Sequence, residues 1–259
     1  MRCLRRTVLG LPCQTRWPQE NQGSGRFAAV TEAANDLVRT MSEGGVTTVT
    51  LDDGKVNALS PAMQAAVHAG LDVAEEAGDA VLLVGREGRF SAGYDLSLSG
   101  DPEAFVDQVR TGFELCERLL AFPDPVVIAA TGHAIAGGLF LLLSGDYRLA
   151  ADGPYKFTAN EVAIGLPIPS AAVEICRQRL SPAAFARAIP LAEVFGPDDV
   201  VAAGIVERVV PADELLPAAL EVAQRLAGLD RNAHQIAKQR TRGQALAAIR
   251  AAVEAEFTT

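Results

Sequence analysis

The sequence predicts an α/β fold. Three observations carry that expectation. Short β-prone apolar runs alternate with longer helical patterns, capping residues bracket the helices, and strand-strand-helix units recur through the first 150 residues. With 259 residues and 49% hydrophobic content, the chain can bury a large core in one domain, or in one domain with a small appendage.

Residues 37–40 and 46–51 flank Gly44-Gly45 and read as a β-hairpin. Ser60-Pro61 opens a helix, Ser as N-cap and Pro at the first helical position, which runs to about Ala77 before Gly78 stops it. Residues 80–84 form an apolar strand and 86–96 a glycine-containing loop. Asp101-Pro102 starts a second long helix through Phe105, Val109, Phe113, Cys116 and Leu120, ended by Pro123 and Pro125. Residues 126–130 are a further strand. After the small-residue segment 132–138, the run 139–143 is too short to span a bilayer and reads as a helix buried on all sides. Residues 147–151 and 155–158 are short strands, and 170–180 and 182–188 helices. A short helix over 197–203 is closed by Gly204, and 205–210 is a strand. From Asp213 the chain is helical, with breaks near Gly228 and Asn232.

The net charge of −9 argues against nucleic acid and anionic membranes as partners, but leaves room for a small anion held by local cations. No apolar run is long enough to cross a membrane. Cys3, Cys13, Cys116 and Cys176 show neither CxxC pairing nor metal spacing, as expected of reduced thiols in a cytoplasmic protein. The first thirty residues carry Arg2, Arg5, Arg6, Arg16 and Arg26 against one acid, Glu20. That composition suits a transit peptide, and equally an extension upstream of the true start codon. It is read here as a stretch without folded structure or function. The expected division is an N-terminal extension over 1–35, a core over 36–200 and a mainly helical region over 201–259.

Several chemistries lack their motifs. There is no GxGxxG after a strand and no phosphate-loop Lys after Gly137-Gly138. There is no HExxH or Cys/His cluster for a metal, and Ser91 lacks the frame of a nucleophile elbow. His68, His133 and His234 are scattered. Two small-residue segments stand out, Phe90 to Leu96 and Ala134 to Gly138, because each follows a strand and leads into a helix. Backbone there can approach a ligand closely, and unpaired N–H groups at a helix start can hold an oxyanion. From spacing alone, the signal is weak and ordinary turns are the favoured reading.

Four segments occur in a telling order: Asp52-Asp53-Gly54-Lys55-Val56-Asn57-Ala58-Leu59, Phe90-Ser91-Ala92-Gly93-Tyr94-Asp95-Leu96, Gly132 to Leu142, and Asn160-Glu161-Val162-Ala163-Ile164-Gly165. Together, with Pro197 to Pro211 as a fifth match, they resemble the enoyl-CoA hydratase/isomerase (crotonase) family over about residues 37–259. The resemblance implies a spiral of ββα units with a helical C-terminal trimerisation region. It implies a homotrimer or dimer of trimers acting on acyl-CoA thioesters, the only coenzyme being the substrate's own coenzyme A. By residue match, the N–H groups of Tyr94 and Gly137 would hold the thioester oxyanion and Glu161 would transfer protons. Val56, Ala58, Ala92, Asp95, Leu96, Gly138 and Phe140 fall at substrate-binding positions, although Asp95 also reads as an N-cap.

The family's hydratases use two glutamates, and Phe140 stands where the first would be. Two carboxylates divide the work of polarising water and delivering a proton. A single one suffices for a 1,3-proton shuttle. The resemblance therefore implies an enoyl-CoA hydratase, with a Δ3-Δ2 enoyl-CoA isomerase as close rival. A non-catalytic acyl-CoA-binding homologue, thioester hydrolysis and decarboxylation are further alternatives. Asp146 matches a structural position. Lys238 and Arg242, at i and i+4 on the last helix, read as a solvated face or as cations for coenzyme A phosphates.

Overall fold

The computed structural model describes residues 31–34 and 36–257. The strands are β1 (Thr31–Ala34), β2 (Val38–Glu43), β3 (Val46–Leu51), β4 (Ala80–Gly85), β5 (Gly88–Ser91), β6 (Val126–Ala130), β7 (Gly132–Ile135), β8 (Tyr147–Ala151), β9 (Phe157–Thr158) and β10 (Arg208–Val210). The helices are α1 (Pro61–Ala77), α2 (Pro102–Ala121), α3 (Gly137–Leu143), α4 (Ser170–Arg177), α5 (Pro182–Ala188), α6 (Val200–Ala203), α7 (Leu215–Ala227) and α8 (Arg231–Phe257).

Seven strands form one sheet in the order β1-β2-β3-β4-β6-β8-β10, and three form a second in the order β5-β7-β9. The first sheet is antiparallel through β1, β2 and β3 and parallel from β3 onward. Three units repeat one path: a strand in the large sheet, a strand in the small sheet, then a helix. They are β4-β5-α2, β6-β7-α3 and β8-β9-α4. This is the expected ββα spiral.

Buried parallel strands need apolar residues on both faces, and the alternation of β4 and β6 supplies them. Val81, Leu83, Val126 and Ile128 point into the main core with α1, α2 and α3. Leu82, Val84, Val127 and Ala129 point to the opposite face, where Leu215, Ala219, Val222 and Ala223 of α7 cover them.

The helix signals hold. Ser60 accepts from the Met63 N–H at 3.2 Å, Pro61 is the first helical residue, and Gly78 closes α1 at φ 68°. Asp101 accepts from the Ala104 N–H at the start of α2. Several boundaries differ. The loop expected over 86–96 contains β5, and the small-residue segment after β6 begins with β7, because each finds a parallel partner far along the chain. The strands expected over 155–158 and 205–210 shorten to Phe157–Thr158 and Arg208–Val210. The helix expected over 197–203 is only Val200–Ala203, and the one over 170–180 ends at Arg177. Within the expected extension over 1–35, Thr31–Ala34 forms β1 against β2, so pairing starts before residue 37. The rest of that extension, with Cys3 and Cys13, lies outside the described residues.

Candidate active site

The segment 52–59 acts as a brace. Asn57 is fully buried at φ 53°, and its amide donates to the carbonyls of Leu51, Arg89 and Phe90. The Asp53 carboxylate accepts from the N–H groups of Lys55, Asn57 and Ala58. The Ala92 N–H donates to Val56 O at 3.0 Å, and the Leu59 N–H to Gly93 O at 2.8 Å. These bonds fix the backbone of residues 90–94.

That backbone lies against the start of α3. Gly93 has φ 89°, and a Cβ there would stand 2.9 Å from Ile135 O and 3.1 Å from Gly137 N. Gly138 packs flush on β5, since an added Cβ would meet Ser91 O at 2.4 Å. Ala136, at the turn into α3, holds φ 49° without being glycine. Strain of this kind persists only where the surroundings over-determine it. The N–H groups of Tyr94 and Gly137 flank this junction, and neither donates to any described residue.

Two cavities meet at Ala92. One, about 360 Å³, is lined by Val56, Arg89, Ser91, Ala92, His133, Ile135 and Lys156. The other, about 270 Å³, contains Ala92, Tyr94, Leu96, Ala136, Phe140, Asn160 and Glu161, with Val109 and Phe113 of α2 and Phe257 of α8. A larger cavity, about 1070 Å³, lies on the α7 face of the large sheet and touches none of the expected site residues. Size does not locate this site; its polar groups do.

Glu161 is 8% exposed, and its Oε2 has no hydrogen-bond partner among the described residues. Burial pushes its pKa above the ordinary carboxylate value of 4.5, against the weaker pull of a backbone hydrogen bond. Asn160 Oδ1, in the same cavity, is also buried and unpaired. Burial raises the Tyr94 phenol well above its ordinary range, and its hydroxyl reaches Val109 O at 3.4 Å. Phe140 is fully buried, with ring centroid 5.9 Å from that of Phe113.

Of the expected residues, Glu161, Tyr94, Phe140, Leu96 and Ala92 share the smaller cavity, and Val56 and Ala92 share its neighbour. Gly137 lies at the junction. Ala58, Asp95 and Gly138 line neither cavity. Asp95 accepts from the Ser97 N–H at 2.9 Å, the N-cap role expected of it. Lys238 and Arg242 overturn their expectation. They form neither a solvated face nor a free phosphate site, because both are tied to Asp146, at 2.7 and 2.6 Å. Sequence reasoning missed Asn160, although it lay inside a matched motif, and Phe257, for which there was no signal. Val109 and Phe113 were read only as positions along the second long helix. Among the described residues, no group of three or more His, Cys, Asp or Glu could hold a metal, and no helix is long and apolar enough to cross a membrane.

A ββα spiral with its backbone junction and buried carboxylate in one cleft defines a class of α/β protein with a site at the strand-to-helix turns. Comparison with known proteins makes the class specific. The chain belongs to the enoyl-CoA hydratase/isomerase family, whose model matches residues 41–259. An apo enoyl-CoA isomerase structure from Mtb is similar at 43% identity and TM-score 0.82, covering 86% of this chain and 99% of that one. An enoyl-CoA hydratase from Mycobacterium marinum is similar at 43% identity and TM-score 0.81, covering 85% and 99%. A probable enoyl-CoA hydratase of Mycobacterium avium is 30% identical over 239 residues, 89% of this chain and 87% of that protein.

Proposed function

We propose that this chain isomerises enoyl-CoA thioesters, moving a double bond from the 3,4 to the 2,3 position with Glu161 as the sole proton carrier. The observation that carries this reading is the unpaired, buried Glu161 Oε2 in a cavity whose second carboxylate position holds Phe140. Glu161 in its ionised form takes a proton from C2 of the 3-enoyl ester. The electrons flow to the thioester oxygen, and the N–H groups of Tyr94 and Gly137 receive the oxyanion. Protonated Glu161 then returns the proton to C4, so the carboxylate is regenerated and no water is consumed. Burial makes Glu161 a stronger base than a surface glutamate, which suits abstraction from carbon. The 360 Å³ cavity suits the coenzyme A side and the 270 Å³ cavity the acyl side, with Ala92 and the oxyanion junction between them. The reaction needs no cofactor beyond the coenzyme A of its substrate.

Hydration is the second reading. Asn160 Oδ1 and Glu161 Oε2 are two unpaired acceptors in one cavity, which is what a water with two O–H donors would satisfy. Relatives of equal identity carry both names. Assembly as a homotrimer or dimer of trimers and a cytoplasmic location belong to the same proposal. Exposed Leu191, Val194 and Leu216 offer apolar surface for assembly.

The test is turnover of paired 2-enoyl-CoA and 3-enoyl-CoA substrates with products separated by mass. Conversion of the 3-enoyl ester without gain of water supports isomerisation. Water addition to the 2-enoyl ester, with the 3-enoyl ester untouched, replaces it with hydration. Silence with both moves the chain to acyl-CoA binding without catalysis.

A further inference from the structure

The far wall of the 270 Å³ cavity comes from the end of the chain's own last helix. α8 buries Leu246, Ile249 and Val253 along one stripe. Phe257 continues that stripe at the next i+4 position, but it is only partly buried and lines the cavity. Its ring centroid lies 6.1 Å from Phe113, which in turn packs on Phe140. The aromatic row thus runs from beside the start of α3 to the tip of α8.

That tip is fastened. Glu256 accepts from the Ser170 N–H at 3.0 and 3.2 Å and from its hydroxyl, at the first residue of α4. Arg250, earlier on the same helix, pairs with Glu117 of α2. A helix end held at Arg250 and Glu256, with a partly exposed aromatic ring at the next residue lining the cavity, is a wall whose position is set by few contacts.

We propose that Phe257 sets the length of acyl chain this protein accepts, with the Glu256–Ser170 latch holding it in place. This rests on the reading that the 270 Å³ cavity takes the acyl group. The volume is near the lower end of small-molecule pockets, roughly 300–1,000 Å³, so the native wall favours short chains. Removing the ring enlarges the cavity beside the exposed Ile164 and Leu166, which line it already and over which a longer chain can pass.

The experiment measures dissociation constants of saturated butanoyl-, octanoyl-, dodecanoyl- and hexadecanoyl-CoA by calorimetric titration, which needs no turnover. For Phe257→Ala, the affinity ratio of dodecanoyl to butanoyl ester rises on the order of 10-fold, the scale of discrimination by pocket size. Phe257→Trp, which keeps the aromatic contact, moves the ratio the other way. Glu256→Ala loosens the latch and moves it in the same direction as Phe257→Ala, by less. A ratio unchanged in both Phe257 variants, with wild-type binding intact, overturns the inference and leaves the functional reading standing. Failure of the wild type to bind any of the four esters overturns the reading of the site itself, and the inference with it.

Discussion

Two carboxylates, Glu161 buried and Asp146 partly buried, stand on either side of α3, and their surroundings differ in kind. Asp146, just past the C-terminal end, accepts from the Val126 N–H and pairs with Lys238 and Arg242. Burial alone would raise its pKa, but the two cations and the hydrogen bonds outweigh that and hold it below the ordinary 3.8. Arg179 donates to Leu143 O at 3.0 Å nearby, so the carbonyl end of α3 is satisfied as well. Glu161, in the cleft beside the N-terminal end, has burial offset only by the weaker pull of a backbone hydrogen bond. Its pKa moves up, and one oxygen is left unpaired. Folding selects the first arrangement, which ties α8 to the core. The second costs stability, which is what singles out Glu161 as the candidate for the proposed proton carrier.

The comparison breaks first at Glu161. Glu161→Gln keeps the shape and removes the base, and turnover falls by roughly 10²–10⁴-fold, the usual share of general acid-base catalysis. Steady-state rates with the better enoyl-CoA substrate show it. Asp146→Ala should do the reverse. It leaves the buried Lys238 and partly buried Arg242 beside an empty position and destabilises the fold by about 3–5 kcal/mol, read from urea unfolding, with the chemistry of the folded fraction unaltered.

Gly93→Ala sharpens the picture of the junction. Its φ of 89° and the 2.9 Å approach to Ile135 O force the Tyr94 N–H out of place. A displaced oxyanion donor costs roughly 10²-fold in kcat, with little change in the unfolding midpoint of the C-terminal helices.

The smallest effect is the most diagnostic for the contrast. Glu161 has a raised folded pKa, so the folded state holds more protons than the unfolded state above pH 4.5. Its contribution is fully present below that pH and is lost as pH rises through the folded value. Asp146 has the opposite sign: its contribution is present above 3.8 and lost as pH falls. Glu161→Gln should therefore unfold at a higher temperature than wild type at neutral pH, and the gap should close toward pH 4. Thermal melts across that range check it.

What the sequence made legible was local. α1 carries its own start and stop in Ser60, Pro61 and Gly78, and the helix obeys them. β5 and β7 carry no such mark, because their partners come from distant turns of the spiral. Tyr94, Gly137 and Glu161 were singled out because four motifs kept family order; Tyr94 and Glu161 line one cavity, and Gly137 packs against the Tyr94 ring. Lys238 and Arg242 looked like a wet helix face because Asp146 lies 92 residues from Lys238 and nothing local announces it. Phe257 was invisible because only the folded course of α8 brings it to the cavity.

The pH dependence of kcat/KM, which reports the free enzyme's essential base, tests the central claim most directly. The account predicts that activity falls on the acid side with a midpoint above 4.5, and that this limb disappears from the residual activity of Glu161→Gln. A midpoint at or below 4.5, or the same limb persisting in Glu161→Gln, would contradict the claim that a buried Glu161 with no cation beside it is the base.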